Sequence, residues 1–481
     1  MKKKFVTNLA FLLGINLLIK PFWIFGIDRT VQNTLGATEY GIYFALFNFS
    51  FLFNILLDAG ITNFNNRNIS QNQQLLQKHL SGILLLRILL ATVFLVVSFL
   101  FAWMLGYRAF QLNLLLILLF NQVLISFILY LRSNLAGLQL FKTDSLISVL
   151  DRTIMIVICG ILLWTNIAGG KFRLEWFIWA QTVAYLITAI IALLILTRNT
   201  RLQRLTWNKP FFLMILKKSY PFATLVLLMT FSYRIDSVML ERMLPDGATQ
   251  AGIYAQAYRL LDAVTMIAYL FAALLLPLYA RMLKLKESVE ELTRLSFSLI
   301  IVPAVIVSSS AIIYSGPIME LLYDSHTVPS AVSLQLLIPS FIALSTSYIF
   351  GTLLTANGSL KVLNYTAFGG MLLNITLNLL LIPTYKVAGA ALSCLITQLF
   401  TALLQVLIVR KMFTFSTDYG FLAKLLFFAV STLVLSWLCL NIPVPWVWSL
   451  LIACSCGLIL SFLIGIIRPI DIYTLAFKPG A

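Results

Sequence analysis

Apolar runs of roughly 20 residues recur along the whole chain, and each is long enough to cross a hydrocarbon core about 30 Å thick as a helix. Short polar breaks separate them. The first six runs cover about residues 8–31, 40–64, 81–105, 112–131, 146–168 and 176–197. Six more follow a basic stretch, at about 219–244, 250–280, 295–316, 331–356, 362–382 and 387–409. Two final runs, 421–441 and 446–467, bring the expected total to about fourteen transmembrane helices. The first run follows Lys2, Lys3 and Lys4, as a secretory signal would. It is longer than a signal core and no small-residue cleavage site precedes the next span, so it reads as a retained helix.

An internal repeat organises these spans. Gly36-Ala37-Thr38-Glu39-Tyr40-Gly41-Ile42-Tyr43 recurs as Gly247-Ala248-Thr249-Gln250-Ala251-Gly252-Ile253-Tyr254, with six of eight positions identical. The same separation carries the start of the first span, Asn8, onto the start of the seventh, Ser219, and Trp176 onto Val387. Short interfacial turns need Gly and Tyr for local reasons, but local need does not explain the matched spacing of whole spans. Six helices is an even number, so both copies share one orientation, the parallel-repeat plan of a transporter whose site lies between two lobes. The expected organisation is an N-lobe over 1–197, a basic cytoplasmic linker over 198–218, a C-lobe over 219–411, and a two-helix addition with a tail over 412–481.

Composition supports lipid as the main solvent: of 481 residues, 60% are hydrophobic and only 11% charged. The formal charge of +17 does not imply nucleic acid, because Lys and Arg sit in short loops rather than among exposed aromatics. Counted from a cytoplasmic N-terminus, the inner loops hold Arg67, Lys78, Arg132, Lys142, the basic linker, Arg281, Lys284, Lys286, Arg294, Lys361, Arg410 and Lys411. The outer loops hold little beyond Arg108, Lys171, Arg173 and Lys386. Both termini are therefore expected in the cytoplasm. Cys159, Cys394, Cys439, Cys454 and Cys456 lie inside apolar runs without metal-ligand spacing, and the two histidines, His79 and His326, fall in expected loops. Neither a metal site nor a Ser-His-Asp hydrolase follows from them. No GxxxxGK[ST] loop is present, so an ion gradient or consumption of the product would have to drive transport.

Ionisable groups inside spans are costly and usually face an interior cavity or one another. The first span carries Lys20, Asp28 and Arg29, the second Asp58, the third Arg87, the seventh Arg234, Asp236, Glu241 and Arg242, and the eighth Arg259 and Asp262. Thr230, Arg234, Ser237 and Glu241 share one helical face, as do Tyr254, Tyr258, Asp262, Thr265 and Tyr269. Such stripes suit a hydrated cavity in which tyrosines stack on sugar rings. Competing readings stand beside this one: Lys20 and Arg29 snorkel or pair locally, Arg259 and Asp262 form a static pair, Asp151 and Arg152 lie at an interface, and Asp58 with Arg87 closes an inner gate or faces water. The surplus of Lys20, Arg29, Arg234 and Arg259 favours an anionic substrate, since the guanidinium fork matches phosphate oxygens. Asp58, Asp236 and Asp262 are the candidates to bind a coupling proton or sodium ion.

Several stretches carry a family resemblance: Gly252-Ile253-Tyr254-Ala255-Gln256-Ala257-Tyr258-Arg259-Leu260 after Asp236; Leu56-Leu57-Asp58-Ala59-Gly60; and Asn374-Ile375-Thr376-Leu377-Asn378-Leu379-Leu380-Leu381-Ile382-Pro383 followed by Gly389-Ala390-Ala391. Across nearly the whole chain the sequence resembles the polysaccharide flippases of the multidrug, oligosaccharidyl-lipid and polysaccharide exporter superfamily. The resemblance implies an all-α, MATE-like integral membrane fold of two six-helix bundles with two C-terminal helices, working by alternating access in a bacterial inner membrane. It implies transport of undecaprenyl-diphosphate-linked oligosaccharides for O-antigen, capsule or exopolysaccharide assembly, with a polysaccharide polymerase and chain-length regulator as partners and no cofactor beyond a coupling ion. It also implies a cationic central cavity, a role matched here by Arg29, Arg234 and Arg259, with Lys20, Tyr254 and Tyr258 beside them as substrate-binding candidates and Arg87 as a gate candidate. A peptidoglycan-precursor flippase and a cation-coupled multidrug antiporter of the same fold are the alternatives; the antiporter would want an acidic cavity. A membrane glycosyltransferase would need large acidic outer loops, and the loops here are short and basic.

Overall fold

The computed structural model describes residues 14–16, 18–62, 74–138, 140–165, 172–200, 209–416 and 418–467, and every element among them is helical. Eleven helices among these residues are long and apolar enough to cross a membrane. The start of the first expected span, Arg67, Lys171 and linker residues 201–208 lie outside the described residues. The chain divides into two compact units, Met1–Gly252 and Ile253–Ala481.

In the first unit a π-helical segment, Phe22–Asp28, runs directly into α1 (Arg29–Leu52). Over residues 18–52 the first and second spans follow directly on one another as two helices that meet at Gly36, whose φ of 76° is open to glycine and strained for other residues. The second span also stops earlier than its apolar run predicts. The chain turns at Phe53 and Asn54, forms the short α2 (Ile55–Asp58), and ends on two left-handed residues, Ala59 and Gly60. There follow α3 (Gln74–Met104), α4 (Ala109–Gly137), α5 (Phe141–Trp164), α6 (Leu174–Asn199), α7 (Lys209–Met243) and the first turn of α8 (Gly247–Lys284).

Helix α4 packs on α1, α3 and α6, and α1 packs on α7. The buried face of α4 carries Gln111, Asn121, Gln122, Ser126 and Asn134, whereas Phe110, Leu116, Phe120 and Leu129 point outward. The buried face also carries Leu114, Leu118, Leu131 and Leu135, so its polar groups sit among apolar packing between helices, where a bilayer leaves them their hydrogen-bond partners.

The second unit contains the rest of α8, then α9 (Glu290–Ile313), α10 (Ser315–Leu322), α11 (Thr327–Leu337), α12 (Ser340–Ala356), α13 (Leu360–Phe413), α14 (Tyr419–Leu440) and α15 (Trp446–Ile464). The single run at 331–356 is two helices, because the chain is interrupted at Ile338 and Pro339 and proline supplies no amide hydrogen. The stretch α13 holds two helices, matching the two expected spans, which meet at one non-helical residue, Lys386, with φ 50° and ψ −126°.

The last two helices dock on α9 through apolar packing of Val302, Val305 and Ile306 with Phe428 and Ile466. A ladder of hydroxyls runs beside it: Ser309 with Thr432 at 3.2 Å, Ser310 with Ser436 at 3.4 Å, and Tyr314 with Ser449 at 2.6 Å. Glycine at 457 lets the Ile306 side chain approach, since a Cβ there would stand 3.1 Å from it. The loop leading into α14 is tied to the first turn of α9. Glu290 accepts the Ser416 amide at 3.1 Å and its hydroxyl at 2.8 Å, while Asp418 caps α14 at the Phe421 amide, 2.9 Å away, and pairs with Arg294.

Candidate functional site

Residues 37–41 of the first copy of the repeated octapeptide meet residues 248–252 of the second within the first unit. A Cβ added at Gly41 would lie 1.8 Å from the carbonyl oxygen of Ala248, and one at Gly252 would lie 1.9 Å from that of Ala37. Ala37 and Gly41 are the repeat counterparts of Ala248 and Gly252, so the contact is reciprocal. Between them the hydroxyls of Thr38 and Thr249, also counterparts, share a hydrogen bond of 2.9 Å on an exposed surface. Small residues four apart let two helical turns approach backbone to backbone, the usual device for tight helix crossing in lipid.

Along α1 and α7 the polar face read from the sequence is built around Arg234. Its Nη1 donates to Asn48 Oδ1 at 3.2 Å, and its guanidinium lies 5.3 Å from the centre of the Phe51 ring. Arg234 is half-buried; Asp236 and Ser237 beside it are buried. Asn48 also donates to Ser237 Oγ at 2.8 Å. At the end of the same helix, buried Glu241 accepts from Gln111 at 2.8 Å and from Arg242, whose guanidinium stacks 4.1 Å over Tyr107. Glu241 therefore belongs to a separate cluster from Arg234.

Asp58 and Arg87 are brought together as an ion pair, with Thr62 joined to both. Arg87 is 5% exposed and donates to the carbonyl and hydroxyl of Ser126 at 2.9 and 3.0 Å, over the Tyr130 ring at 4.5 Å. Asp58 is 27% exposed and forms the accessible half of the pair. Asp28 is buried and accepts from the Tyr40 hydroxyl at 2.9 Å and from Gln32 at 3.3 Å. Half-buried Arg29 follows it on the chain. Half-buried Lys20 lies in the field of Arg152, Asp151 and Arg132, with Arg152 held 5.4 Å over the Trp23 ring.

In the second unit Arg259 Nη1 and Asp262 Oδ2 stand 3.9 Å apart, one helical turn from each other. The Tyr254 and Tyr258 rings are buried and stacked on each other at 5.4 Å. Tyr269, further along the same stripe, is exposed and meets the Tyr348 ring edge-to-face at 6.3 Å. Among the described residues no group of three or more His, Cys, Asp or Glu is placed to hold a metal ion. The structure adds Asn48, Phe51 and Ser126 to the polar clusters. A lone Asn within Phe47-Asn48-Phe49-Ser50-Phe51 is the signal that marks the first of them in the sequence.

A sequence model described as polysaccharide biosynthesis protein matches residues 7–283. No curated protein matches the chain in sequence. Among solved structures the fold is similar to the lipid II flippase MurJ in an inward closed conformation, with a TM-score of 0.72 and 15% identity over 96% of this chain and 99% of that one. It is similar also to a MOP superfamily transporter from Pyrococcus furiosus, with a TM-score of 0.56 and 13% identity over 85% and 94% of the two chains. An inward-facing multidrug resistance MATE family transporter of the MOP superfamily gives 0.56 and 13% over 84% and 94%. At such identities the likeness is one of fold.

Proposed function

Because the chain belongs to the polysaccharide biosynthesis protein family and carries the fold of the MOP superfamily transporters, we propose that it flips an undecaprenyl-diphosphate-linked oligosaccharide from the cytoplasmic to the periplasmic leaflet. The family match over residues 7–283 carries this reading. The product would serve O-antigen, capsule or exopolysaccharide assembly, with a polymerase and chain-length regulator downstream. The protein works by alternating access in a bacterial inner membrane, with both termini in the cytoplasm as the loop charges dictate.

Arg234 is the residue assigned to the diphosphate. A guanidinium at mid-span costs roughly 2.5–3.5 kcal/mol unless it is satisfied, and the Asn48 amide and the Phe51 ring face are among the groups that support this one. Lys20 and Arg29 in the first unit, and Arg259, Tyr254 and Tyr258 in the second, are the further residues we assign to substrate binding. One of Asp58, Asp236 and Asp262 carries the coupling proton or sodium ion, and asparagine at that position uncouples transport from the gradient while leaving binding intact.

A second reading, export of the peptidoglycan precursor lipid II, is favoured by the near-complete coverage of the MurJ fold. Complementation separates the two. The chain should restore surface polysaccharide to a strain lacking its oligosaccharide flippase and fail to sustain growth of a strain depleted of its lipid II flippase; the opposite pair of results replaces the first reading with the second. Arg234→Ala at normal membrane abundance should abolish the restored activity, and Arg234→Lys should rescue it only partly, for want of the bidentate fork.

A further inference from the structure

The carboxylate of Glu241, 4% exposed near the end of α7, accepts from Gln111 Nε2 on α4 at 2.8 Å and from the next residue, Arg242, at 2.6 and 2.9 Å. Arg242 also donates from Nη1 to the Leu105 carbonyl at 3.1 Å and lays its guanidinium 4.1 Å over the Tyr107 ring. Leu105 and Tyr107 belong to the turn between α3 and α4, and Gln111 holds that turn from within by accepting the Arg108 amide at 3.1 Å. The corner between α7 and α8 is tight, since a Cβ at Gly247 would lie 2.4 Å from the Glu241 carbonyl oxygen. The contacts of Glu241 and Arg242 and the crossing of Gly41 with Gly252 therefore share one corner and part together.

We propose that this cluster is a reversible latch at the outer end of the first unit, closed in this structure and released each time the transporter opens outward. The inference rests on the alternating-access reading given above. Its basis is where the charges sit. The groups that α4 and the α3–α4 turn present to the pair are neutral: the Gln111 amide, the Leu105 carbonyl and the Tyr107 ring. Glu241 and Arg242 are consecutive residues of one helix, so they neutralise each other and travel as a unit. Withdrawing α7 from the turn thus separates no opposite charges. The hydrogen bonds it frees lie at the end of the span that the loop charges assign to the outside, where water replaces them. The Asp58–Arg87 pair is built the other way, with one charge on each of two helices, and parting it would leave both charges uncompensated. One contact is made to open and the other to stay shut.

The test begins with Gln111→Met, which removes the donor at nearly constant volume. Ala37→Cys is the reporter, a position 8% exposed at the crossing. In nanodiscs a membrane-impermeant thiol reagent should label it about tenfold faster when Gln111→Met is present, the shift in open population expected from one hydrogen bond to a charged group. Phe428→Leu, a core change in the second unit, controls for general loosening and should lower the melting temperature without changing the labelling rate. A rate unchanged by Gln111→Met, or raised as much by Phe428→Leu, overturns the inference. In cells, Gln111→Cys and Glu241→Cys joined by a short cleavable bis-thiol reagent should halt export until the link is cut, with each single variant as control for the native thiols. Export that continues through this link while a Thr38–Thr249 crosslink stops it overturns the latch and leaves alternating access standing. Export that continues through both links removes alternating access itself. Should the paired cysteines prevent folding, the labelling comparison decides alone.

Discussion

Replacing Gly41 or Gly252 with alanine adds a single methyl group at a backbone-to-backbone helix contact in the first unit. The added carbon would stand 1.8 or 1.9 Å from a main-chain oxygen of the facing turn, so the two turns must separate by roughly 1.5 Å to reach ordinary van der Waals distance. Backbone, unlike the end of a long side chain, cannot rotate out of the way. Overpacking of this kind costs about 1–3 kcal/mol, and the Thr38 to Thr249 hydrogen bond is lost as the turns part. Against this, exchanging Gly for Ala within a helix gains at most about 1 kcal/mol. The expected net effect is destabilisation by about 1–2 kcal/mol for either substitution. The double variant should cost less than the sum, because a gap opened for one methyl already admits the other. Gly316 is the control: a Cβ there meets nothing within 4 Å, so Gly316→Ala should melt at or above the parent temperature. The assay is thermal unfolding of the detergent-solubilised chain by intrinsic fluorescence, with the variants ranked at one scan rate. If Gly41→Ala and Gly252→Ala behave like Gly316→Ala, the close crossing does not hold the two turns together and the reasoning fails.

Paired cysteines at Thr38 and Thr249 should crosslink under mild oxidant in one transport state and block export until reduced; transport that continues while crosslinked counts against alternating access. Asp58→Asn should lower membrane abundance and melting temperature by stranding the buried Arg87 charge, a loss of about 3–5 kcal/mol for a broken buried pair, and Arg87→Leu added to it should recover most of the stability. An undiminished single Asp58→Asn variant refutes that account. The Asp418 carboxyl is held below the usual carboxylate range, first by the Phe421 amide and also by Arg294. Its contribution is therefore present above about pH 4 and lost as pH falls through its depressed folded-state value. Asp418→Ala should melt below the parent at pH 7, and the difference should vanish at acid pH; a gap that persists below that range contradicts the assignment.

Much of the fold is legible in the sequence because bilayer thickness imposes a length on every apolar run, and that rule locates most of the long helices. It does not show how tightly two spans join: Gly36 and Lys386 each connect two helices through a single non-helical residue. It fails at Pro339, where the break lies inside one expected run. Among the site residues, Asp58 and Arg87 stand out as charges in lipid, but their pairing joins positions that no helical period connects. Asn48 escapes for a different reason: an amide among phenylalanines carries no charge to draw notice, and its meaning depends on Arg234, a residue far along the chain that only folding brings beside it.

The reciprocal contact between the repeated turns has the form of an isologous interface, in which each surface is its own complement: Gly41 meets Ala248 as Gly252 meets Ala37, and Thr38 meets its own counterpart. Interfaces of this type belong to twofold homodimers. The two glycines are encoded separately and can change one at a time, yet each is bound by the backbone of the other copy of the turn. A substitution that relaxes one side of the contact is felt at both.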